Sequence, residues 1–147
     1  MNTPISALLD RKGAVLHTAA PTETVAAVVA RMNHHHVGSV LVLDGAKLTG
    51  IFTERDVLRR VVGAGLDPVA TVVATVMTRQ VLTVAPETTI DQAVTIFTEK
   101  RCRHLPVMEA GELRGLVSIG DVTRWLAEAS QAEAQQLKNY IAGGVPT

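Results

Sequence analysis

Aromatic residues are nearly absent from this chain: Phe52, Phe97, Trp125 and Tyr140 are the only four in 147 residues. That leaves no stacking platform of the kind single-stranded nucleic acids use. Cysteine is almost absent too. Cys102 stands alone, which excludes an intrachain disulfide and a Cys-rich zinc centre. Charge of one sign is lacking, because 14 Lys and Arg balance 14 Asp and Glu. A neutral chain has no accumulated positive charge to drive generic DNA or membrane-surface binding. Uncharged stretches are broken by Gly, Pro and Thr before they reach a membrane-spanning length. The opening MNTPISALLDRK lacks the basic-then-apolar pattern of a secretory signal. These absences predict a soluble, cytoplasmic protein with neither nucleic acid nor membrane as partner.

The apolar share comes instead from Ala, Val, Leu and Ile, and 147 residues suffice for a buried core without metal or disulfides. The chain repeats itself. Residues 21–60 and 86–125 align without a gap at an offset of 65. Pro21 falls on Pro86, Val25 on Ile90, Met32 on Phe97, Val42 on Val107, Gly50 on Gly115 and Asp56 on Asp121. Each copy reads as a β-α-β-β-α unit. A strand (Ala14–Thr18 or Val81–Val84) leads to a helix with apolar residues at 25, 28, 29 and 32, or at 90, 93, 94 and 97. Thr89 and Gln92 have capping-box spacing. Two strands follow, 40–43 with 48–52 and 105–108 with 113–117, turning at Asp44-Gly45 and Ala110-Gly111. A second helix starts near Asp56 or Asp121. One unit cannot bury its helices and sheet alone, so the fold class expected is α/β (α+β), with two tandem repeats packed sheet to sheet about a pseudo-two-fold axis. The repeats span 3–66 and 67–128, and residues 129–147 form a helical tail with Leu126, Ala129, Leu137 and Ile141 available for packing. Residues 71–77 echo 3–9, so each copy carries a short leading segment.

The chemistry-bearing motif is the doubled corner Gly50-Ile-Phe-Thr53-Glu-Arg-Asp56 and Gly115-Leu-Val-Ser118-Ile-Gly-Asp121. A hydroxyl residue three before an acid at a helix start is a capping signature. The same groups suit an adenosine phosphate: free N–H groups and a hydroxyl hold phosphate, and a carboxylate accepts from ribose hydroxyls. Both roles are compatible.

The doubled Pro-helix-strand-Gly-apolar-x-Ser/Thr-x-x-Asp pattern, with Arg103-His104-Leu105-Pro106-Val107, resembles a tandem pair of cystathionine-β-synthase (CBS) domains, a Bateman module, over residues 3–128. The resemblance implies a regulatory module that binds AMP, ADP, ATP, NAD(H) or S-adenosylmethionine between its repeats and signals through a conformational or dimer change. It implies a homodimer, a regulated partner protein and no metal. Carried across, Asp121 holds ribose, Ser118 holds phosphate, and the base lies against Ala14, Val37 and Gly38. At the second site Asp56 and Thr53 take those roles, with Gln80, Cys102 and Arg103 near the base. Arg103, His104, Arg55 and Lys12 are the nearest positive charges, and Thr78 is placed to approach phosphate. Arg103-His104 has no charged counterpart at Gly38-Ser39, which favours the Ser118/Asp121 site.

Three adjacent histidines, His34-His35-His36, point about 100° apart on a helix and do not converge on one ion. Cys102, before an apolar strand, reads as a small buried side chain. No catalytic constellation is present, so the chain is not expected to be an enzyme. The alternatives are a ligand-independent dimerisation and protein-interaction module, and a small enzyme acting through His34–His36 or Cys102.

Overall fold

The computed structural model describes residues 2–13 and 15–142. Helix α1 (Ile5–Lys12) precedes the first repeat, which runs β1 (Thr18–Ala19), α2 (Val25–His35), β2 (Ser39–Asp44), β3 (Lys47–Thr53) and α3 (Glu54–Asp56). The second repeat runs α4 (Ile90–Lys100), β4 (His104–Glu109), β5 (Glu112–Ser118) and α5 (Ile119–Ala142). Thr24 and Thr89 cap the stripe helices, each accepting a backbone N–H with its side chain. The box at Thr89 and Gln92 is complete.

The duplication is preserved in the sheets. Antiparallel β2–β3 pairs Val40 with Phe52, and β4–β5 pairs Leu105 with Val117. Both ladders slip at the same place, between Val42 and Leu43 and between Val107 and Met108. Val40, Leu41 and Val42 are consecutive and fully buried. Alternate residues of a strand face opposite ways, so both faces of the first sheet are covered. This agrees with the mixed α and β fold read from the sequence.

The opening strands are shorter than expected. In the first repeat only Thr18–Ala19 pairs, parallel to β2, and in the second a single bridge joins Val84 to Val107. The cause is at position 106. Leu41 N–H donates to the His17 carbonyl at 3.1 Å. Its counterpart is Pro106, which has no N–H, so the matching bond to residue 82 cannot form. Residues 79–83 therefore cross between the repeats as an unpaired strap.

The helix after Asp56 also differs from expectation, because α3 passes into π-helix over Val57–Val62. Gly63 N–H reaches back to the Leu58 carbonyl at 2.8 Å. By contrast α5 runs unbroken for 24 residues, so the tail continues the second helix of its repeat. Leu126 packs on the core, while Leu137 is exposed. The Ile141 side chain lies outside the described ones.

Packing regroups the chain. Val73, Val76 and Met77 join the core of α2, β2 and β3, whereas Ile5 and Leu8 join that of α4, β4 and β5. The hydrogen bonds match this exchange. Ile5 N–H donates to Thr88 and Ser6 N–H to Pro86; correspondingly Val73 N–H donates to Glu23 and Ala74 N–H to Pro21. Each leading segment thus closes the repeat other than the one it precedes in sequence.

Candidate functional site

At the first corner β3 ends in Thr53, whose hydroxyl accepts the Asp56 N–H at 3.2 Å. Thr53 N–H returns a bond to Asp56 Oδ2 at 3.0 Å, completing a capping box. The Asp56 carboxylate is only 4% exposed and also accepts from the Thr78 hydroxyl at 3.0 Å. Arg60 Nε lies 3.6 Å from Asp56 Oδ1, the oxygen that the Thr78 hydroxyl also meets. Thr78 reaches Asp56 because Gly50 has no side chain. A Cβ there would sit 2.7 Å from both Met77 Sδ and the Thr78 carbonyl oxygen.

The second corner repeats the core of this design. Ser118 N–H donates to Asp121 Oδ2 at 2.9 Å, and Asp121 N–H donates to Ser118 Oγ at 3.1 Å. Here Lys12 Nζ bonds Asp121 Oδ2 and the Leu116 carbonyl, both at 2.7 Å. Burial pushes the Asp121 carboxyl up, but the bonds from Lys12 and Ser118 outweigh it and hold the group below its ordinary value.

The two corners open on different spaces. A cleft of about 580 Å³ lies beside Thr53 and Asp56 and draws walls from both repeats and from the strap. Gly38, Ile51, Glu54, Arg55, Leu58 and Arg59 come from the first repeat; Lys100, Arg101, Cys102, Arg103 and His104 come from the second. Thr78, Gln80, Val81 and Leu82 close one side. Five Lys and Arg face two carboxylates there, in a chain of zero net charge. The space beside Asp121 is about 240 Å³ and lies between α1 and α5.

The structure therefore brings Thr53, Asp56, Arg55, Thr78, Gln80, Cys102, Arg103, His104 and Gly38 together in one cleft. Of the three residues of the base slot expected for Ser118 and Asp121, two are among the described residues. Val37 packs on the first core, Gly38 lines the other cleft, and Ala14 lies outside the described residues. Arg103 and His104 line the Thr53 cleft, and His104 also pairs with Ser118 across β4–β5, so these two residues do not separate the corners in the way expected. Lys12 is committed to Asp121 rather than standing free for phosphate. Sequence reasoning missed Arg59, Lys100 and Arg101. The offset of 65 pairs Arg101 with His36, and both end their helices with positive φ (53° and 55°). That left-handed turn swings the residues after α4 towards the cleft.

Burial, with Lys12 and Arg103 nearby, holds His104 below its ordinary value against the opposing pull of Asp121 and Glu54. Burial pushes the Cys102 thiol up, away from the thiolate a nucleophile needs. The His17 and His35 rings stack at 4.4 Å, and His34 meets His35 edge-on at 4.9 Å. No group of three His, Cys, Asp or Glu among the described residues is placed to hold a metal. Among the same residues no helix is long and apolar enough to cross a membrane.

Two β-α-β-β-α repeats with exchanged leading segments and a cleft between them define a tandem two-repeat module. The CBS domain family profile matches residues 4–63 and 73–128, and the chain belongs to that family. The CBS domain-containing protein CBSX3, mitochondrial, of Arabidopsis thaliana is 39% identical over 127 residues, 83% of this chain. The chain spans 62% of that relative's length. The crystal structure of the CBS-domain containing protein ATU1752 from Agrobacterium tumefaciens is 38% identical with a TM-score of 0.79, covering 83% of this chain and 98% of that one. The Pyrobaculum aerophilum CBS domain protein PAE2072, solved in complex with AMP, shares the fold at 24% identity and a TM-score of 0.71, covering 80% and 88% of the two chains.

Proposed function

We propose that this chain is an adenine-nucleotide sensor whose ligand sits in the Thr53 cleft. The observation that carries the reading is the concentration of five cationic residues against two carboxylates in a cleft between the repeats. Its volume lies within the range of small-molecule sites, roughly 300–1,000 Å³. Arg55, Arg59, Lys100, Arg101 and Arg103 supply positive charge for phosphate. Ile51, Leu58, Val81 and Leu82 offer apolar surface to a base, and the neutral His104 and the Gln80 amide supply its polar contacts. Asp56 takes the ribose only if a sugar hydroxyl replaces the Thr78 hydroxyl on its carboxylate. AMP in the Pyrobaculum relative supports a ligand of this size.

Because the ligand touches both repeats and the strap, binding favours one relative orientation of the two, and a partner protein reads that shift. The role proposed is regulatory, not catalytic, in a cytoplasm that keeps Cys102 reduced. A second copy of the chain is the proposed partner in a homodimer, supported by the exposed Leu58 (65%), Val62 (66%) and Val69 (70%).

The capping bonds that both corner carboxylates make favour a second reading, in which the corners are caps alone and the module binds protein without nucleotide. Thermal shift with AMP, ADP, ATP, NADH and S-adenosylmethionine separates the two. At one hundred times Kd a ligand adds about 2.7 kcal/mol, roughly 5–10 °C for a chain of this size. No shift with any of the five at millimolar concentration leaves the interaction reading standing.

A further inference from the structure

The two corners match up to their carboxylates and differ in what reaches them from the opposite leading segment. Asp56 receives a neutral group, the Thr78 hydroxyl. Asp121 receives an ammonium, and Lys12 Nζ also holds the Leu116 carbonyl on the strand that enters the corner. The side chain of Lys12 is one-third exposed (34%) and that of Asp121 14%, so the carboxylate end of the ion pair is sheltered and the ammonium end meets solvent. The last turn of α1 is fastened beside it. The Arg11 guanidinium donates to Glu128 and lies 4.8 Å from the centre of the Trp125 ring. Gly13 then ends the helix at φ 93° and ψ 171°, a conformation open essentially to glycine alone.

A ribose hydroxyl at Asp121 Oδ2 must displace a charged donor, because that oxygen already carries both an ammonium and a backbone N–H, whereas at Asp56 the group to displace is the neutral Thr78 hydroxyl. A tethered group competes at an effective concentration of about millimolar or more, which a dissolved ligand must overcome. The space left is less than half that at the other corner. We infer that Lys12 is an internal occupant of the Ser118/Asp121 corner and that the last turn of α1 is its latch. The module takes one adenosine ligand per chain, in the Thr53 cleft, and admits a second only where α1 lets go. The ligand count rests on the function proposed above; the latch itself does not.

Two measurements on the full chain keep the latch and the ligand reading apart. Lys12→Met retains the stem and removes the charge. Calorimetric titration with AMP should give one site per chain in the wild type and two in Lys12→Met. Two sites in the wild type, or one still in Lys12→Met, overturns the inference. Hydrogen exchange without ligand should be about tenfold faster at the backbone N–H groups of Arg11, Lys12 and Gly13 in Lys12→Met, because the bonds closing this turn are lost. Equal exchange in the two proteins overturns the latch. If neither protein binds AMP, the adenosine reading fails and the exchange result alone decides the latch.

Discussion

Gly50 and Gly115 occupy equivalent positions, and each marks the crossing of a leading segment over the strand that feeds a corner. Their surroundings differ in softness. A Cβ at Gly50 meets the Thr78 carbonyl oxygen at 2.7 Å, which is backbone tied in a bridge to Ile51. A Cβ at Gly115 meets Leu9 Cδ2 at 2.7 Å, the end of a side chain that can turn away. Gly50→Ala should therefore cost about 1–3 kcal/mol by overpacking, and Gly115→Ala clearly less, in urea unfolding. The reverse order would contradict the account. His104 gives a pH test. Its folded value lies below the ordinary 6.5, so the neutral form is the stable one. The stability it contributes is complete above pH 6.5 and is lost as pH falls from there through the lower folded value. Between pH 7.5 and pH 5.0 the urea midpoint should drop further in the wild type than in His104→Gln. Equal drops would show that His104 is not held neutral.

The elements show why the repeat is so readable and where its symmetry stops. Apolar stripes, threonine caps and paired strands are local, and Val25/Ile90 or Gly50/Gly115 expose them in the sequence at one offset. The exchange of leading segments depends on which repeat closes over them, and no local pattern in 3–9 or 71–77 carries that information. Ile5 lies fully buried against α4, β4 and β5, in the second repeat and not in the first, which it directly precedes. Ile5→Ala should cost about 2–5 kcal/mol and accelerate hydrogen exchange in α4 before α2. Faster exchange in α2 first would place Ile5 with the wrong repeat. The loss of a third strand from the second sheet is legible in part, since Pro106 stands in the sequence. Its effect on residue 82 needs the register of β4 against the strap, which only the fold supplies.

At the scale of the whole molecule, these breaks in symmetry fall around the clefts. Pro106 frees the strap, Thr78 and Arg60 settle Asp56, and Lys12 settles Asp121. Adjacency in sequence ties Arg103 and His104 to the Ser118/Asp121 corner, and the fold sets both on the Thr53 cleft as well. In space, Arg103 ties α5 by its carbonyl, which accepts the Ile119 N–H at 3.0 Å, and still lines the Thr53 cleft. A crystal structure of the full chain grown with AMP decides whether the Thr53 cleft is the ligand site. AMP is expected between the repeats, its phosphate among Arg55, Arg101 and Arg103 and its base against the strap. AMP bound instead at Ser118 and Asp121, with the Thr53 cleft empty and Lys12 displaced, would contradict it.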